Sequence, residues 1–179
     1  MTLISDLAEL ERRCRALAML EAILSPDWEY RYYSFNQHWA PGQRMASMRD
    51  GCGDDWFLLF RDGRAFLKGF EKEAPRLIGA ILPPELRDPA FSPEEITWWA
   101  WWDGSWRGDT ASRHLAVLDG NPATYAAWAS EYYETEVDPA LVGEVYRGAA
   151  LTEALVQGLN PEVTLASLRE DCEETGYPG

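Results

Sequence analysis

No run of apolar residues in this 179-residue chain approaches the ~18 that a membrane-spanning helix needs, which excludes a transmembrane protein. Cysteine is scarce as well. Cys14, Cys52 and Cys172 are odd in number and far apart, so no disulfide framework is expected. The two histidines are His38 and His114, no C-x-x-C or H-x-x-x-H occurs, and no metal site is expected. Walker lysine, G-x-S-x-G and EF-hand spacings are also missing, so no catalytic residue is assigned and no cofactor is implied. The opening residues MTLISDLAELERRCRAL have neither the basic nor the apolar segment of a signal peptide. With the cysteines, this points to a reducing cytoplasm. There is no internal repeat and no low-complexity tract.

Positive charge is in short supply. Lys and Arg total 16 against 30 Asp and Glu, a net charge of −14. The surplus is uneven: from Glu131 onward the only bases are Arg147 and Arg169, set against eleven acids. A surface of that sign repels phosphates, so neither nucleic acid nor an anionic membrane is an expected partner. It steers a basic protein toward itself, and it also serves simply to keep the chain in solution.

Hydrophobic residues make up 46% and aromatics 13%, enough for an aromatic-rich core. The length fits one domain over residues 1–179, burying roughly 68–70% of the unfolded surface. Leu3, Leu7, Leu10, Cys14 and Leu17 recur at helical spacing, with Asp6 placed to cap and Ser25-Pro26-Asp27 to stop the helix. Strands are expected over 28–36, 43–49, 56–60, 64–70 and 96–102. Pro41-Gly42, Asp62-Gly63 and Asp103-Gly104 serve as turns, and residues 113–119 close the sheet. Residues 71–95 form a proline-rich connection. Asn121-Pro122, Asp138-Pro139 and Asn160-Pro161 each place a capping residue before a proline, giving helices near 122–134, 139–147, 152–158 and 161–175. The expected fold is α+β: one antiparallel sheet of about five to six strands, packed by an N-terminal helix and C-terminal helices.

Three features could carry function. Trp98, Trp99, Trp101, Trp102 and Trp106 fall within nine residues, and strand alternation puts Trp98 and Trp102 on one face and Trp99 and Trp101 on the other. These rings read mainly as core, with an exposed platform as the rival. The loop from Arg49 to Asp55 holds Cys52 between glycines and the carboxylates Asp54 and Asp55, with His38 nearby in sequence; His38, Arg49, Asp54, Asp55 and Trp102 are the ligand-binding candidates. A solvated polar loop is the simpler reading. Tyr125, Trp128 and Tyr132 form one helical stripe, read as core. Beyond it Glu131, Glu134, Glu136 and Asp138 are the partner-binding candidates.

The segments SFNQHWAPGQRMASMRDGCGDDWFLLF (34–60), DGNPATYAAWASEYYE (119–134) and LNPEVTLASLREDCEETGYP (159–178) resemble an uncharacterised group of small, acidic, single-domain bacterial proteins. The resemblance implies a single bacterial domain and brings no catalytic residues with it. By analogy of size and charge, some such proteins are immunity proteins against secreted toxins. The expectation is a cytoplasmic, non-enzymatic protein-binding module, an immunity-like antagonist of a basic partner. The alternative is a small-molecule binder or hydrolase whose tryptophan-lined pocket draws polar residues from 34–55.

Overall fold

A computed structural model describes residues 4, 6–77, 96–110 and 112–179. The architecture is α+β. Helix α1 (Leu7–Leu24) is followed by a meander of six antiparallel strands: β1 (Tyr33–Ala40), β2 (Gln43–Arg49), β3 (Asp55–Arg61), β4 (Arg64–Phe70), β5 (Trp98–Trp102) and β6 (Trp106–Gly108). Helices α2 (Pro122–Tyr132), α3 (Pro139–Tyr146), α4 (Glu153–Leu159) and α5 (Arg169–Thr175) complete it.

Helix α1 starts where the Asp6 carboxylate accepts the Ala8 and Glu9 amides. From Ala16 to Ile23 every residue is buried, because ALAMLEAI is apolar around nearly its whole circumference. It lies between β1 of the sheet and helices α3 and α5. Every second residue of the strands joins the same core: Tyr33 and Phe35, Ala46 and Met48, Trp56, Leu58 and Phe60, Ala65 and Leu67, then Trp98. The other face of the sheet carries a smaller cluster of Met45, Leu59 and Phe66, against which Phe57, Trp99 and Trp101 pack. The tryptophan run therefore divides as alternation requires. Trp98 is in the core and Trp102 packs on it, while Trp99 and Trp101 stack on each other on the far face, 5.0 Å apart.

Asp62 and Gly63 both have positive φ, at 51° and 69°, which gives the tight β3–β4 hairpin the twist its strands need. Gly69 on β4 answers a different demand. It pairs with Trp98, and a methyl group there would run into the indole. Gly69→Ala is expected to cost about 1–3 kcal/mol, read as a lower urea midpoint. An unchanged midpoint would mean that Trp98 moves aside freely.

Three expectations need correcting. Residues 28–30 do not begin the first strand. Trp28–Tyr30 is a 3₁₀ turn, and Arg31 holds it by donating to the carbonyls of Ser25 (2.8 Å) and Pro26 (3.0 Å) while pairing with Asp171 (2.5 Å). Residues 113–119 do not close the sheet. They form a 3₁₀ helix that buries Leu115 and Leu118, three apart, and starts under the Ser112 hydroxyl; Trp106–Gly108 is the closing strand. The last helix does not begin at 161. Asn160 caps only a turn, Thr164 caps a separate 3₁₀ segment, Leu165–Leu168, and α5 follows from Arg169. The proline-rich connection is described as far as Leu77, and the rest of it lies outside the described residues.

Candidate functional site

The most unusual chemistry lies where the start of β1, the 50–54 loop and the end of α2 meet. It rests on Glu21 of α1, which is fully buried. One carboxylate oxygen accepts the Tyr125 hydroxyl (2.7 Å). The other accepts the Tyr133 hydroxyl (2.9 Å) and the Tyr32 and Tyr33 amides (2.6 and 3.3 Å). Four donors from α2, its C-terminal end and β1 converge on a group that carries no ion pair among the described residues. Burial drives its pKa up to about 7, against the pull of those hydrogen bonds. Glu21 thereby fixes the angle at which α2 and the first strand approach each other.

Above that hub the surface is aromatic. Among the described residues, five large apolar side chains stay exposed; Tyr30 (56%) and Tyr132 (39%) meet here, and Trp28 (58%), two residues before Tyr30, has its ring 6.0 Å from the Arg49 guanidinium carbon. The Tyr132 hydroxyl donates to the Tyr30 carbonyl at 3.3 Å. Its ring stacks on Trp128 and meets Tyr32 edge-on at 4.6 Å. The helical stripe thus ends differently from expectation. Tyr125 is buried and Trp128 half-buried, but Tyr132 lies outside, because the helix stops there and no element among the described residues covers its last turn. The rim is acidic: Asp27 and Glu29 flank Trp28, and Glu131 and Glu134 flank Tyr132 and Tyr133, all exposed. Glu136 and Asp138 are exposed further along the connection to α3, where Asp138 also caps that helix through the Ala140 amide.

The ligand-binding candidates do not converge. His38 sits in a bulge of β1 beside the Pro41-Gly42 turn, its amide bonded to Asn36, at the opposite end of β2 from the 50–54 loop. Trp102 packs on the core side of β5. Asp55 and Arg49 pair at the β2–β3 end and project from the far face of the sheet. Burial raises the Asp55 carboxyl, with Lys68 and Arg49 pulling it down. Asp54 turns the other way, and both its oxygens are occupied. Oδ1 accepts the Lys72 amide (2.9 Å), and Oδ2 meets His114 Nε2 (3.0 Å) and Arg113 (3.3 Å). Burial would raise this carboxyl, but the Lys72 amide, His114 and Arg113 outweigh it and hold it below its ordinary value. The group ties the 50–54 loop to the 112–119 turn, and the Asp50 carboxylate stiffens the same loop by accepting the Cys52 and Asp54 amides.

Sequence reasoning passed over Glu21, Trp28 and Tyr30, and read His114 as a structural or solvated residue at the start of a strand. A glutamate inside the run ALAMLEAIL was the one legible signal, since a carboxylate on an all-apolar helix needs buried donors. Among the described residues no group of three or more His, Cys, Asp or Glu is arranged to hold a metal ion, and no helix is long and apolar enough to cross a membrane. Comparison with protein-family models, with curated proteins and with solved structures returns no match.

Proposed function

We propose that the chain is a non-enzymatic protein-binding module that engages a basic partner, in the manner of an immunity-like antagonist. Its docking face is the aromatic surface of Trp28, Tyr30 and Tyr132 inside its carboxylate rim. The observation that carries this reading is that two exposed aromatic segments, Trp28–Tyr30 and Tyr132, meet through the Tyr132 hydroxyl and the Tyr30 carbonyl, and that exposed carboxylates, Asp27, Glu29, Glu131 and Glu134, flank both in the chain; aromatic residues most often anchor interfaces. The aromatic rings supply desolvated contact area and slow dissociation. The rim steers a cationic surface in and sets the salt dependence of association. Glu136 and Asp138 extend the same field. The Asp54–His114 pair supports the reading from another side, since its hydrogen-bonding capacity is used to brace the loop beside the face.

The test is a fluorescence-anisotropy titration with a labelled arginine-rich peptide standing in for the partner. Neutralising the rim with Glu131→Gln and Glu134→Asn weakens binding ~5-fold at low salt, and the difference shrinks as salt screens it. Neutralising Asp62 and Asp103, at the opposite end of the sheet, changes affinity by less than ~2-fold. Equal losses from both pairs would mean diffuse attraction to an acidic protein, and would contradict a defined face.

A further inference from the structure

A second feature lies beside Trp28, on the face of the sheet turned away from α1. A cavity of about 100 Å³ is lined by residues that include Trp28, Ser34, Ser47, Arg49, Phe57 and Glu174. Its floor follows from strand register. Ser34 on β1 lies opposite Ser47 on β2, and Ser47 lies opposite Phe57 on β3, so two hydroxyls and a phenyl ring stand side by side. The two serine hydroxyls are 2.8 Å apart, and each can turn to a ligand instead.

Charges of opposite sign stand at its two ends. Arg49 is two residues beyond Ser47, and its guanidinium carbon lies over the Phe57 ring at 5.4 Å and the Trp28 ring at 6.0 Å. Its nearest carboxylate neighbour in the register is Asp55, which it influences electrostatically, but among the described residues it closes no salt bridge. Glu174 comes from α5 and touches Asn36, two residues beyond Ser34 in the other direction, through the Asn36 amide at 3.5 Å; it too makes no salt bridge among the described residues. Partial burial and the nearby Asp171 hold the Glu174 carboxyl above its ordinary value, with Arg31 acting the other way. A cation beside it would relieve that. One cavity thus offers a fork of N–H donors at one end, a carboxylate at the other, hydroxyls between them and aromatic walls. Its volume is far below the ~300–1,000 Å³ that drug-sized ligands fill.

We propose that this cavity binds a small α-amino acid as its zwitterion, the ligand's carboxylate on Arg49, its ammonium on Glu174 and its short side chain against Trp28 and Phe57. Only a ligand carrying both charges satisfies both ends, and the fork geometry of arginine suits a carboxylate. The cavity shares Trp28 with the docking face proposed above, but its charged groups, Arg49 and Glu174, are not part of that face, and it needs no basic partner to be occupied.

The experiment is a calorimetric titration of the full chain at fixed ionic strength with glycine, L-alanine and L-serine, compared with acetate and methylammonium, which carry one charge each. Tryptophan emission is read in parallel, because Trp28 lines the site. At least one of the amino acids is expected to saturate below ~10 mM and to bind at least ~10-fold more tightly than either single-charge probe. Arg49→Gln and Glu174→Gln each weaken it ~10-fold or more; neither residue belongs to the core, so unchanged thermal melts confirm that the variants fold. The proposal is overturned if none of the three amino acids saturates up to tens of millimolar, if acetate or methylammonium binds as well, or if either variant binds like the parent chain.

Discussion

Replacing Glu21 with alanine lowers folding stability by about 3–5 kcal/mol, because it strands two tyrosine hydroxyls and two backbone amides that converge on one buried carboxylate. For a chain of this length that amounts to a fall of roughly 10–15 °C in the melting midpoint. Glu21→Gln keeps the volume and one acceptor oxygen but aims an amide donor at donors, so it is also destabilised. Its particular value is its pH dependence. The folded-state pKa of Glu21 is about 7 against an ordinary 4.5, so between these values the folded protein keeps a proton that the unfolded chain releases. Folding therefore weakens as pH rises from about 4.5 to about 7, by at most ~3 kcal/mol, and no further change comes from this group above that range. Urea denaturation of the parent and of Glu21→Gln at pH 5 and pH 8 isolates the effect. The parent's stability relative to the variant is expected to be larger at pH 5 than at pH 8. An equal difference at both values would show that Glu21 is ionised throughout.

The second large effect falls on binding. Trp28→Ala and Tyr132→Ala are each expected to weaken the complex with a basic partner by about 2 kcal/mol, roughly 30-fold, since aromatic side chains at the centre of an interface carry most of its energy. Trp28 is more than half exposed, so its removal shifts the melting midpoint by only a few degrees and the two losses can be told apart. Tyr132 also packs on Trp128 and Tyr32, and Tyr30→Ala serves as the companion variant with less packing at stake. The salt dependence of the aromatic variants should match that of the parent, because the rim that generates it is intact. Aromatic variants that bind as tightly as the parent, with the same salt dependence, would place the charges and the rings at different sites.

The course of the chain was largely legible because its strands are short, regular and joined by turns of unambiguous chemistry. Asp62-Gly63 and Asp103-Gly104 mark hairpins, and alternation alone assigned Trp98 and Trp102 to one face and Trp99 and Trp101 to the other. The errors lie where local hydrogen bonding competed with pattern. WEYRYYSFN looks extended throughout, yet Arg31 draws its first residues into a turn by binding the carbonyls of Ser25 and Pro26. RHLAVLD has strand-like composition, but its leucines are three apart and Ser112 caps them into a 3₁₀ helix. The candidate site was less legible. The 34–55 segment looked like one polar cluster, but its ends are held apart by the length of β2, which sets His38 at one end of the sheet and Asp54 at the other. Tyr132 could not be told from its neighbours on the stripe, since exposure there depends on what packs over the helix end. Glu21 acquires its partners from residues 11 to 112 positions away, and no local spacing announces them.

The central claim, that one aromatic face with an acidic rim recognises a basic partner, is tested most directly by amide and indole chemical-shift mapping with the arginine-rich peptide. The shifts are expected to concentrate on Trp28, Tyr30, Cys52, Glu131, Tyr132 and Glu134, with the Trp28 indole signal among the most displaced. Shifts spread evenly over the exposed carboxylates of the hairpin turns and C-terminal helices, with Trp28 and Tyr132 unmoved, would contradict the claim.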